Sequence, residues 1–170
     1  MKLPRLILIV SLAVFCGCAG LSERYARDVV VGRMDAVLPS DENQRSLWLS
    51  FSINTEESKF SSQTTKHWKQ NYEVFSKALL EKAGNSSLDA TSLAKILRDI
   101  FSDADGQYLA CVPIAAYSTK LDGEPVWVVV LHWEPFFGRE DPGPDRPLSH
   151  VRTYVYTQKD FKQVAFLTCG

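Results

Sequence analysis

The run Val126-Trp-Val-Val-Val-Leu131 offers no polar residue to either side of an extended chain, so as a strand it must be covered on both faces. Just before it stands Leu121-Asp122-Gly123-Glu124. Asp-Gly is a strong two-residue hairpin turn, because both central positions need positive φ. The turn therefore joins a strand over 107–117 to one over 125–134. A second pair, 148–157 and 161–168, flanks Gln158-Lys159-Asp160. The C-terminal half reads as four strands.

The N-terminal half reads mostly as helices. Trp68, Tyr72, Phe75, Leu79 and Ala83 recur at steps of three and four, one face of a long helix from about 61 to 83 closed by Gly84-Asn85. Leu93, Ile96, Leu97, Ile100 and Phe101 form the stripe of a second helix, with Ser87 or Asp89 to cap it and Asp105-Gly106 to stop it. Such spacing is what core packing demands, so the aromatic stripe is assigned to the core. Ala26, Val30, Met34 and Val37 suggest a first helix over 22–38, ended by Pro39, against the competing strand signal of Val29-Val30-Val31. Ser46 to Ile53 alternates strictly, with Leu47, Leu49, Phe51 and Ile53 on one side, and reads as a half-buried strand. The expected order is helix, strand, two helices, four strands. That is an α+β domain, an antiparallel sheet of about five strands with two or three helices on one face.

The first 20 residues are of another kind. Two positive charges in Met1 to Arg5 precede an apolar stretch, Leu6 to Phe15, broken only by Ser11. Ten residues are too few to span a bilayer and enough for a secretory signal. The stretch ends in Phe15-Cys16-Gly17-Cys18-Ala19, which resembles the lipobox of bacterial lipoproteins, with Phe15 in place of the usual Leu-like residue and Cys16 in place of Ala or Ser. The resemblance implies that residues 1–17 are removed, that Cys18 carries the lipid, and that residues 18–170 form one domain on a short tether. In that family a residue other than Asp after the Cys implies the outer membrane of a Gram-negative cell, and Ala19 fits. Ordinary cleavage after Cys18-Ala19-Gly20 is the alternative, releasing a soluble secreted or periplasmic domain from Leu21 onward.

Removing 17 residues leaves 153, with 17 basic against 20 acidic residues, net −3. A mildly acidic domain has no basic surplus for nucleic acid. Cys111 and Cys169 then remain, and an even pair in an oxidising compartment is most simply a disulfide. Its loop of 59 residues is worth roughly 4 kcal/mol in the chain-entropy model. Such a bridge requires the sheet to curl, or the two hairpins to pack with the first strand beside the last; Pro113 opposes the second arrangement unless a bulge accommodates it.

Chemistry has few candidates. Pro135 to Pro147 is a 13-residue connection with four Pro and two Gly, long enough to be a binding loop, and Phe136, Phe137 and Arg139 are its candidate contacts. The same phenylalanines could instead tuck under the sheet as staples. His132 and Glu134 share a strand face, and His150 could join them as a zinc set, the basis of an alternative reading as a metal-dependent hydrolase. The residues lack the compact spacing of known zinc motifs, so no metal or other cofactor is expected. Asp103-Ala-Asp105-Gly106 fails as a calcium loop, because Phe101 and Val112 fall where ligands are required. No GxSxG elbow or glycine-rich phosphate loop occurs. The expected function is that of a non-catalytic, lipid-anchored binding module meeting an envelope protein or cell-wall ligand.

Overall fold

The computed structural model describes residues 23–54, 64–135 and 145–169. The fold is α+β. Among the described residues five strands lie in the order β1 (Val30–Leu38), β2 (Leu109–Leu121), β3 (Glu124–Pro135), β4 (His150–Thr157) and β5 (Gln163–Cys169). β2 to β5 form an antiparallel meander, and β1 pairs with β2 in parallel. Three helices, α1 (Glu42–Asn54), α2 (Trp68–Asn85) and α3 (Ala90–Gly106), fill the crossover between β1 and β2.

The hairpin and the central strand form as their residues require. Asp122 and Gly123 have φ of 50° and 86°, the left-handed pair of the tight turn. Val126 to Leu131 are all buried, with residues of opposite parity meeting different layers. Trp127 faces α3, where its indole N–H donates to Ser92 Oγ at 2.8 Å. Val126 and Val128 face the other way, clustering with Leu38, Val155 and Leu49 of α1. Two helices, α2 and α3, pack on one face of the sheet as expected, and α1 adds a cover on the other: an apolar strand needs two lids.

The helical stripes are core. Trp68, Tyr72, Phe75, Leu79 and Ala83 on α2 and Leu93, Ile96, Leu97 and Ile100 on α3 are buried, and the Tyr72 hydroxyl donates to the Leu97 carbonyl at 2.7 Å. Asp89 caps α3 by accepting from the Thr91 and Ser92 amides. The end of α2 differs from expectation. Leu88 N–H bonds to Ala83 O and Ser87 N–H to Gly84 O, a Schellman arrangement in which Ser87, at φ 54°, takes the left-handed position usually given to glycine. Gly84 is an ordinary helical residue in the last turn.

The first two elements are exchanged relative to the sequence reading. Val30–Leu38 is a strand, so the β-branched triplet outweighs the helical spacing of Ala26, Val30, Met34 and Val37. Glu42–Asn54 is a helix and not the expected strand. Asp41 caps it by accepting from the Gln44 amide at 2.9 Å, and Glu42 suits the positive end of its dipole. Helical spacing turns Arg45, Trp48 and Leu49 towards the protein and leaves Leu47 74% exposed. Arg45 fastens the helix by donating to the carbonyls of Pro39, Ser40 and Val164.

The proposed Cys111–Cys169 disulfide is also corrected. Cys111 pairs with Trp133, which pairs with His150, while Cys169 pairs with Val151 across from β4. Three strand spacings of about 4.8 Å separate the two strands, beyond the 7 Å or so that a bridge allows. Cys111 is a free, buried thiol whose pKa burial pushes up to about 12, so it is protonated and unreactive. Pro113 sits at a break in register between Pro113 and Ala115, and β1 pairs with β2 only from Ala115 onward. The bulge that its missing N–H calls for is present.

Gly84 is helical, and a Cβ built on it meets nothing within 4 Å. Gly84→Ala is therefore expected to raise stability by about 0.5–1 kcal/mol in urea denaturation. A loss of stability would mean that glycine is needed there to end the helix.

Candidate functional site

The polar residues of interest gather where β3 ends and β4 begins. Successive side chains on β3 point to opposite faces, so His132 and Glu134 share one face and Trp133 takes the other. Cross-strand register sets His132 opposite Val151 and Trp133 opposite His150. His150 thus belongs to the Trp133 face, and their rings lie 5.1 Å apart. Pairing of β3 with β4 does bring the histidine alongside, but one residue out of phase with a His132–Glu134–His150 zinc set. Only its Nε2 reaches round the strand end, to 3.5 Å from Glu134 Oε2. Among the described residues no group of three or more His, Cys, Asp or Glu side chains converges to hold a metal.

Glu134 is instead the acceptor of a clasp. Its side chain is 8% exposed; Oε1 lies 2.9 Å from Arg146 Nη1, and Oε2 accepts from Ser149 Oγ at 3.0 Å. Arg146 Nη2 donates to the Pro135 carbonyl at 2.6 Å. One guanidinium therefore holds both the last residues of β3 and the approach to β4. The same stretch is stitched to the start of α2: Thr65 N–H donates to Arg146 O at 2.8 Å, Arg146 N–H to Thr65 Oγ1 at 3.1 Å, and Asp145 Oδ1 accepts from the Lys66 amide at 3.0 Å. Thr64 and Pro147 form an isolated antiparallel bridge. Phe136, Phe137 and Arg139 lie outside the described residues, as do Cys18 and the signal segment.

His132 is a core histidine, 3% exposed. Burial lowers its pKa from the ordinary 6.5 to about 4, against a smaller opposing effect from a hydrogen bond with the Leu148 backbone. It is neutral at pH 7 and available neither as an acid nor as a surface ligand.

On the Trp133 face the alternation of β4 places His150, Arg152, Tyr154 and Tyr156 in a row. The Arg152 guanidinium carbon lies 4.3 Å from the centre of the Trp133 ring and 5.0 Å from that of Phe166, and Nη1 lies 3.3 Å from Tyr154 Oη. Tyr154 and Phe166 are themselves 5.3 Å apart. Phe166 is 47% exposed, so the cluster opens to solvent on the β5 side. Further along, Tyr156 donates to Asp99 of α3 at 2.9 Å. Sequence reasoning passed over Arg152, Trp133 and Phe166. The available signal was the polar–apolar alternation of His150 to Tyr156, in which every second residue is aromatic or cationic.

Comparison with known families, curated proteins and solved structures finds no match to this chain.

The His132 shift has a definite sign. With the folded-state pKa near 4 and the unfolded value near 6.5, the unfolded chain binds the proton first on acidification. Stability from this group is complete above pH 6.5 and is lost as pH falls towards 4, by about 3 kcal/mol in all. Urea midpoints measured from pH 7.5 to 4.5 should fall for the wild type and fall less steeply for His132→Leu; parallel curves would show that His132 is not the titrating group.

Proposed function

We propose that this chain is an exported, lipid-anchored protein of the bacterial cell envelope, and that its α+β domain is a non-catalytic binding module. The observation that carries the binding reading is the Arg146 clasp. By holding Pro135 O and Glu134 together, it anchors both ends of the Pro135–Pro147 loop on the sheet. A loop rooted on a rigid platform can present side chains without weakening the core beneath it. In this reading Phe136, Phe137 and Arg139 contact the partner, an envelope protein or a cell-wall ligand. The anchoring reading stands on Gly17-Cys18-Ala19 at the end of the apolar stretch. Acyl chains on Cys18 would contribute about 0.8 kcal/mol per buried CH₂, so several chains would hold the protein firmly at the membrane.

Two measurements test these parts separately. Intact mass of the exported protein should show an acylated Cys18 at the N-terminus, and Cys18→Ser should abolish membrane partitioning or block maturation; an unmodified N-terminus at Leu21 contradicts the anchor. Phe136→Ser combined with Phe137→Ser should leave the melting temperature within about 2 °C while reducing partner capture from envelope extract, since exposed aromatics are typical anchors. A double variant that unfolds would identify the two rings as staples and remove the basis for the binding loop.

A further inference from the structure

The geometry points to a carboxylate-binding site on the Trp133 face of the β3–β4–β5 region, with Arg152 as the residue that recognises the anion and Trp133 and Phe166 as its walls. The assignment names a ligand class for the same end of the sheet and rests on the reading of that end as a binding surface. It starts from an imbalance of charge. Arginine is seldom drawn into a protein without a partner carboxylate, yet no carboxylate of the described residues lies within ion-pairing distance of Arg152.

The acids around it are already engaged. Glu134 holds Arg146, Asp99 accepts from Tyr156, and Asp103 accepts from Gln107 Nε2 at 2.7 Å. Among the described residues the one polar partner of Arg152 is the Tyr154 hydroxyl, and burial keeps that phenol neutral by raising its pKa. Contact with two aromatic faces offsets part of the cost of desolvating the guanidinium but does not neutralise it. Among the described residues no carboxylate compensates the positive charge, and Phe166 beside it is half-exposed.

The free donors suit a planar anion. Arg152 Nε and the Trp133 indole Nε1 are both covered and have no acceptor among the described residues. With Nη1 turned to Tyr154, the Nε–Nη2 edge is the part of the guanidinium left for a ligand, and that edge matches the two oxygens of a carboxylate side by side. Phe166, 47% exposed and 5.0 Å from the guanidinium carbon, marks the side from which a ligand would approach. A phosphate dianion calls for more positive charge than one arginine supplies. The flanking rings would take an apolar or aromatic group beside the carboxylate, which makes the fitting ligand a monocarboxylate with such a group next to it.

The test uses the full chain in detergent with 15N labelling and three probes: N-acetylphenylalanine, its uncharged amide, and inorganic phosphate. The acid should shift the Arg152 Nε–H and Trp133 Nε1–H resonances saturably, and the amide and phosphate should not. Arg152→Gln should abolish the response, and Arg152→Lys should weaken it about tenfold or more, because an ammonium keeps the charge and loses the fork. Equal shifts with the amide, a tighter response to phosphate, or no response to the acid would each overturn the assignment, and these wild-type comparisons decide it even if a variant fails to fold. Failure here with loop-dependent partner capture intact removes the carboxylate site alone, whereas loss of loop dependence with the acid response intact removes the loop and leaves the site.

Discussion

Six consecutive residues of β3, Val126 to Leu131, are almost entirely withdrawn from water, and the arrangement of the rest follows from the need to cover both their faces. Each buried aliphatic or aromatic side chain in such a strand is worth about 1.5–3 kcal/mol relative to exposure, so neither face can be left open. On one face α2 and α3 bring their stripes against the sheet, and Ser92 gives Trp127 the one acceptor its indole needs in an otherwise apolar setting. On the other, α1 brings Leu49 over Val126, Val128 and Val155. The long crossover from β1 to β2 is what allows both lids to be made from one connection. It leaves the antiparallel meander free to run from β2 to β5 without interruption.

Where local chemistry decides the structure, the sequence was a sufficient guide. The Asp122-Gly123 turn, the Asp89 cap and the apolar stripes of α2 and α3 each depend on residues within a few positions of one another. The failures have a common cause. In 46–53 the alternation of Leu with Ser fits a strand perfectly, but the outcome is set by Asp41 at the helix start and by Arg45 reaching a carbonyl 119 residues away. Val30–Leu38 carries both helical and extended signals, and pairing with β2 selects between them. The disulfide inference failed because counting cysteines says nothing about strand order. A meander keeps β2 and β5 apart whatever the redox compartment.

The candidate site was legible by region and not by residue. Glu134 and His150 do meet at the base of the Pro-rich loop, but the register that joins β3 to β4 is fixed beyond the reach of a single sequence, and a shift of one residue moves His150 to the opposite face from His132. The same register assembles Arg152 between Trp133 and Phe166, three residues from three different strands. None of these is unusual in its own stretch of sequence. Their meaning appears only when cross-strand neighbours are known.

The Arg146 clasp shows how an ion pair can matter without adding much stability. Bringing the ends of a loop of about ten residues together costs a few kcal/mol of chain entropy, most of which the β3–β4 pairing has already met. What the pairing does not fix is the direction in which the chain leaves the sheet after Pro135 and returns at Asp145. Arg146 fixes it by binding the Pro135 carbonyl and the Glu134 carboxylate at once, and Thr65 extends the constraint to the start of α2. At 25% and 8% exposure the pair is partly desolvated, so its net contribution is a small difference between attraction and lost hydration. Its value lies in orientation: two strand ends and a helix start, 81 residues apart in sequence, are held in one frame beside the face that carries Trp133, His150 and Arg152.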